Sequence, residues 1–365
     1  MQSLRARDFS LLVLLLLSAG VAFAGPAVTS AGGSAENGSV LVIRGSAFGA
    51  KERPGPLVFD SVENVAAYSA RLSGSPVPVG DQYSFMRTTA EPVLLMDSPR
   101  HRAGLRGRTY SSPGGNRWLG NPVGSGGFEA PVSRRELYVS WWMRFDETPF
   151  EMVNNASHKF IRLRAGGESD LRVSWTQKHL TVSNGNAGGE SALVRWINRD
   201  VWSGAPSAWY RHELWISASE GLVQTWVNGV LLAELRSDDP RYLRRDHPEG
   251  IEVALIGWNP SGGTKTMLAY EMDDIVIDDT RAKVMLSDSP AWSRAGVVEY
   301  QPAFHWSDTE IRVKVNRGEL YPPADRQLYL YVMDRDGRVN EAGFPLCELI
   351  QCGPRPRPPG AVKAD

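Results

Sequence analysis

Apolar and polar residues alternate with a period of two along most of the patterned chain, and stretches with helical spacing are few. From Glu136, ELYVSWWMRF puts Leu137, Val139, Trp141, Met143 and Phe145 on one face and Tyr138, Ser140, Trp142 and Arg144 on the other. That predicts a central strand with two unlike faces. HKFIRLR follows, with Phe160, Arg162 and Arg164 opposite Lys159, Ile161 and Leu163, and LRVSWTQ and SALVRWI continue the series after turns. Residues 209–234 predict a meander. Trp209, Arg211, Glu213 and Trp215 share one face of its first strand, His212, Leu214 and Ile216 the other, and Asn228-Gly229 closes a hairpin because both residues tolerate the positive φ of a type I′ turn. The apolar face is expected to meet a second sheet and the aromatic, charged face to meet solvent. GIEVALIGWN and AYEMDDIVIDDTRAKV add further strands, then Thr309 to Val315 and Leu328 to Met333, with a turn at Asp336-Gly337.

Residues 1–24 carry Arg5 and Arg7, an apolar run from Phe9 to Leu17 and a small-residue cleavage site at Ala22-Phe23-Ala24. These features predict a signal peptide and a secreted or periplasmic protein. The apolar run is too short to cross a ~30 Å hydrocarbon core. Residues 25–38 are small and polar and read as a flexible leader. The Pro-rich tail, 347–365, holds both cysteines, Cys347 and Cys352; in an exported chain they read as a small disulfide loop or as two free thiols. A net charge of −1 gives no signature of nucleic-acid or membrane binding, and 12 Trp, 36 Gly and 24 Pro with so little helical spacing point to an all-β chain with many turns.

The order of LYVSWWMRF, HKFIRLR, WYRHELWIS, the VNGV hairpin and MDDIVIDDTRAKV resembles the concanavalin A-like lectin/glucanase jelly roll, in the branch that includes polysaccharide lyases. The resemblance covers residues 56–290. Gly45, Ser46, Phe48 and Gly49 resemble the opening strand of IPT/TIG immunoglobulin-like domains, and residues 291–346 resemble the closing strands of an immunoglobulin-like module. Fifty-odd residues make a small sandwich, so a first strand from within residues 25–55 is expected to complete it, with the jelly roll inserted between.

The jelly-roll likeness implies a sugar-binding face. Arg162, Arg164, Trp175, Arg195, Arg211, Glu213 and Trp215 are its candidate ligand residues, since indoles stack on pyranose rings and guanidinium groups pair with carboxylates. Trp142, Trp196 and Trp209 are further stacking candidates; packing without ligand is the alternative for strand Arg and Trp. A core histidine is the expectation for His212. The implied partner is a polysaccharide, acidic if the arginines read it, and no oligomeric state follows. The glucanase strand Glu-x-Asp-x-x-Glu is incomplete here, because Val276 replaces the last Glu after Glu271 and Asp273. Polysaccharide lyase activity by β-elimination on a uronate is the alternative function, although only Gln177 and His179 echo the lyase motif and its Tyr-Lys strand is missing. The likeness also implies a structural Ca²⁺ at Asp60, Glu63 and Asp274, a cation that takes ~6–8 oxygens; turn capping by those acids is the alternative.

Overall fold

A computed structural model describes residues 25–61, 134–145, 208–236, 251, 270–320 and 327–346, and the backbone of further strands within 79–80, 94–97, 108–112, 157–164, 171–176, 179–184, 191–196 and 252–260. The described residues form strands and two short 3-10 turns, with no α-helix. The expected signal peptide (residues 1–24), Glu63, Cys347 and Cys352 lie outside them.

The terminal segments build one sandwich. β1 (Ala27–Gly33), β2 (Val40–Ser46), β20 (Glu310–Lys314) and β19 (Ala303–Trp306) form one sheet; β18 (Val298–Gln301), β17 (Lys283–Ser287), β21 (Leu328–Met333) and β22 (Phe344–Leu346) form the other. Leu41, Ile43, Ile311 and Val313 from the first meet Val284, Leu286, Leu330 and Val332 from the second in a shared buried core. The N-terminal strand therefore pairs with C-terminal sequence, Val40 against Lys314 and Ile43 against Ile311. Two expectations change. Residues 27–33 are a strand rather than a flexible leader, because small residues fit the close approach of β2. Residues 283–287, placed by pattern within 56–290, pair with β18 and β21.

The long insert carries two sheets. β14 (Val230–Arg236), β13 (Leu222–Val227), β12 (Tyr210–Ser217), β7 (Glu136–Phe145), β16 (Tyr270–Asp278), β3 (Val58–Asp60) and β4 (Val79–Gly80) follow one another in the nine-stranded sheet. Its remaining strands, β5 (Leu94–Asp97) and β6 (Arg108–Ser112), join at β16. The meander appears as expected, with Asn228 at φ 50 and Gly229 at φ 79. β11 (Ser191–Trp196), β10 (His179–Asn184), β9 (Leu171–Thr176), β8 (Ser157–Arg164) and β15 (Glu252–Pro260) form the five-stranded sheet.

β7 is buried on both faces: Leu137, Val139 and Met143 are wholly enclosed, and so, nearly, are Tyr138, Ser140 and Trp142. The second set faces the terminal sandwich. Phe59 packs on Tyr300 at 5.4 Å between ring centroids, and Trp226 and Tyr300 close over a cluster of Phe59, Tyr138, Trp215, Leu222 and Val276. The sheet containing β17 and β18 thus has its own core on one side and the insert on the other.

Candidate functional site

The seven candidate ligand residues fall on two different sheets. Arg211, Glu213 and Trp215 stand on β12 of the nine-stranded sheet; Arg162 and Arg164 on β8, Trp175 on β9 and Arg195 on β11 stand on the five-stranded sheet. A single platform carrying all of them, the arrangement expected from the sequence, does not form.

The β12 group is covered. Arg211 is 6 % exposed and Trp215 7 %. The Arg211 Nε donates to Glu213 Oε1 at 3.0 Å, Tyr138 Oη donates to Glu213 Oε2 at 2.6 Å, and Lys283 Nζ of β17 reaches the same oxygen at 3.3 Å. Lys283 also lies over the Tyr138 ring, 3.7 Å from its centroid. Burial alone would raise the Glu213 pKa, but Arg211, Lys283 and the Tyr138 hydrogen bond more than offset it and bring it to about 2. Burial pulls the Lys283 ammonium down to about 8 against the pull of Glu213. Both carboxylate oxygens are held by protein donors, so this cluster joins the insert to the terminal sandwich and leaves no acceptor for a sugar. Trp142 is buried on the same face and is likewise lost as an open stacking surface. Alternation shows that β12 has an aromatic, charged face; it does not distinguish water from a second protein layer carrying one complementary lysine. Sequence reasoning missed Lys283, whose signal was a single cation opening the strand KVMLS.

On the opposite face His212 meets the core expectation. It is buried and stacks on Trp141 at 5.3 Å between ring centroids and 14° between planes. Burial lowers its pKa to about 3, so the ring is neutral at physiological pH.

The five-stranded sheet sorts its residues by register. An irregularity at Phe160 shifts the alternation of β8, so that Lys159 opposes Ser174 while Arg162 opposes Arg172. Lys159 therefore joins the arginine face instead of the Ile161 face expected from simple alternation. Directly opposed residues share a face, which places Lys159, Arg162, Arg164, Arg172 and Arg195 together with Ser174, Thr181 and His179. Glu252, opposite Arg164, is the acid among the paired positions of that face. The other face carries Ile161, Leu163, Val173, Leu180, Val182 and Val194, and the register assigns Trp175 and Trp196 to it, away from the arginines. Register makes Arg162 and Arg172 direct cross-strand partners.

The carboxylates suggested for other chemistry are dispersed. Glu271 forms a buried ion pair with Arg144 at 2.7 Å. Register pairs Asp60 with Ile275, while Phe59 and Val276 share the face toward the terminal sandwich. Asp274, with φ 42 at an irregularity in β16, lines a small cavity with Val276 and Tyr138 on that same face. Asp60 and Asp274 are therefore on opposite sides of the sheet, and no group of three or more His, Cys, Asp or Glu side chains suited to a metal gathers among the described residues. Glu63, the third residue of the expected Ca²⁺ site, lies outside the described residues.

No protein-family model matches the chain, and no curated protein sequence does either. Solved structures show distant likeness. A cellulose-induced protein, Cip1, shares 19 % identity over 41 % of this chain and 70 % of its own, with TM-score 0.30. Domain 4 of AbnA, an extracellular arabinanase from Geobacillus stearothermophilus solved with arabinotriose, shares 12 % over 62 % of this chain and 94 % of its own, with TM-score 0.37. A galectin of Caenorhabditis elegans, LEC-6, shares 14 % over 40 % of this chain and 84 % of its own, with TM-score 0.25. These likenesses are too remote to assign a ligand or an activity. Among the described residues no helix is long and apolar enough to cross a membrane.

Proposed function

We propose that this is an exported glycan-binding protein that recognises an acidic polysaccharide on the basic face of its five-stranded sheet. The observation that carries the reading is the segregation by register of Lys159, Arg162, Arg164, Arg172 and Arg195 onto one face, opposite a mainly apolar one that also carries His158. Antiparallel sheets commonly pack an apolar face on a core and leave the polar face for solvent or ligand. Cations spread over adjacent strands ~4.8 Å apart suit a chain of repeating carboxylates better than a single small anion. The concanavalin A-like and immunoglobulin-like assignments of the two units belong to this proposal, as does the signal peptide.

The test is binding of the full chain to alginate, polygalacturonate and heparin beside neutral glucans, at two ionic strengths. Acidic polymers are expected to bind and to weaken with salt, because exposed charge contacts are screened. An Arg162→Gln/Arg172→Gln variant is expected to lose at least tenfold in affinity. Equal binding of neutral and acidic polymers, or an unchanged double variant, overturns the reading. A rising ultraviolet absorbance from unsaturated products in the same incubations would identify a β-eliminating lyase instead.

A further inference from the structure

A groove of about 590 Å³ opens where one end of the nine-stranded sheet meets the terminal sandwich, a size within the ~300–1,000 Å³ range of small-ligand sites. Its walls are the residues entering β7, the turn between β12 and β13, the link from β16 to β17, the loop after β2 and the turn after β21. Three of its six cations are held in ion pairs. Lys51 pairs with Asp278 at 2.6 Å, Arg134 with Asp279 at 2.9 Å and Arg236 with Glu220 at 3.3 Å.

Arg281 differs. It is half-buried, its guanidinium lies 5.4 Å from the centre of the Trp226 ring, and its hydrogen bonds run to neutral oxygens, at 3.5 Å to the Gln224 side chain and 3.3 Å to the Asp336 carbonyl. Among the described residues it has no carboxylate at ion-pair distance. Burial pulls its pKa below the ordinary guanidinium value. Its position is built into the fold: Gly337, at φ 84 in the turn after β21, sits where any Cβ would overlap the guanidinium. Arg335, exposed on that turn and also without an ion pair among the described residues, lines the same groove. Glu136, which accepts a hydrogen bond from Ser219, Gln224 and the edge of Trp215 complete its polar and aromatic lining. A partly desolvated cation without a matched anion is costly, and the groove holds space for one.

We propose that this groove binds a uronate residue of an acidic glycan, with the carboxylate between Arg281 and Arg335 and the ring hydroxyls on Gln224 and Glu136. A singly charged carboxylate flanked by hydroxyls fits a lining that mixes guanidinium with Glu136, Glu220 and Asp336, whereas a dianionic phosphate meets those acids as repulsion. The inference rests on the acidic-glycan reading above but uses different residues.

The test is calorimetric titration of the full chain with trigalacturonate and with its carboxyl-reduced neutral form. Wild type is expected to bind the acidic trimer at least tenfold more tightly than the neutral one. Arg335→Gln, on an exposed turn, and Gly337→Ala, which displaces Arg281, are each expected to weaken trigalacturonate at least tenfold. Wild-type affinity in Arg335→Gln overturns the groove. If Arg162→Gln/Arg172→Gln abolishes binding while Arg335→Gln and Gly337→Ala retain it, the sheet reading stands and the groove inference falls. If wild type binds neither trigalacturonate nor any acidic polymer, both fall.

Discussion

Replacing Glu213 by Leu isolates the charge cluster that joins the insert to the terminal sandwich. At an effective dielectric constant of ~20, contacts of 3.0 Å to Arg211 and 3.3 Å to Lys283 are each worth about 5 kcal/mol of Coulomb attraction before desolvation. Desolvation of the buried carboxylate takes back much of this, and removing one member of a buried charged set typically costs ~3–5 kcal/mol because its partners stay buried. The cost should depend on pH. Lys283 is held at about 8 partly by Glu213; without that carboxylate its folded pKa drops further, and the native variant loses a proton that native wild type keeps. The penalty is therefore larger at pH 6 than at pH 9, where both proteins carry a neutral Lys283 and only Arg211 is left unmatched. Urea unfolding followed by tryptophan fluorescence reads this directly, since Trp215 and Trp226 lie in the same contact. A second change, Lys283→Met, should recover part of the loss, as apolar replacement of both partners often does. A Glu213→Leu variant within ~1 kcal/mol of wild type, or a loss of equal size at both pH values, would refute the claim that this cluster joins the two units.

Three further outcomes are expected. Folding lowers the His212 pKa from 6.5 to about 3, so the unfolded chain takes the proton first and stability present above pH 6.5 is lost as the pH falls; His212→Phe, which can still stack on Trp141, should remove roughly 2–3 kcal/mol of the loss between pH 6.5 and 4.5, measured by denaturant titration. Gly45→Ala drives a methyl group into the Ala27 carbonyl and the Phe48 ring; a loss of ~1–3 kcal/mol or more is expected, with hydrogen exchange rising first along β1. Chelation should leave the melting temperature unchanged, since Asp60 and Asp274 stand on opposite sides of their sheet, and a fall of several degrees on adding EDTA would instead support the Ca²⁺ site implied by the jelly-roll likeness.

Strand existence was largely legible because a two-residue period survives in ELYVSWWMRF and YRHELWIS whatever covers their faces. The Asn228-Gly229 turn was legible for a local reason, positive φ at both residues. Pairing of the N-terminal strand with C-terminal sequence was also within reach, from the Gly45 to Gly49 motif and from the small size of the unit that lacked it. The motif has a physical basis: Phe48 is buried, Gly45 admits the β1 backbone, and the Gly49 carbonyl accepts the Trp306 indole hydrogen at 3.2 Å. What lay beyond sequence was which layer covers which face. Arg211 and Trp215 look like a sugar platform until Lys283, distant in sequence, is seen to complete their charge. β1 was missed because AVTSAGG lacks the β-branched and aromatic density that marks a strand. The irregularity at Phe160, which moves Lys159 to the arginine side, leaves no mark in HKFIRLR.

The pairing of Val40 with Lys314 has a bearing on biogenesis. Bringing together positions ~270 residues apart costs about 3 kcal/mol more chain entropy than closing a ten-residue loop. Contacts so remote in sequence also slow folding. A chain emerging N-terminus first has the β1–β2 hairpin waiting for its partner strand until β20 arrives. The insert, complete by Asp278, has its strands in hand sooner and reduces the span to be closed as it compacts. A nascent chain stopped before Glu310 would keep β2 without its partner strand and open to chaperones and proteases, which makes the segment carrying β20 and β21 the point at which quality control has most to act on.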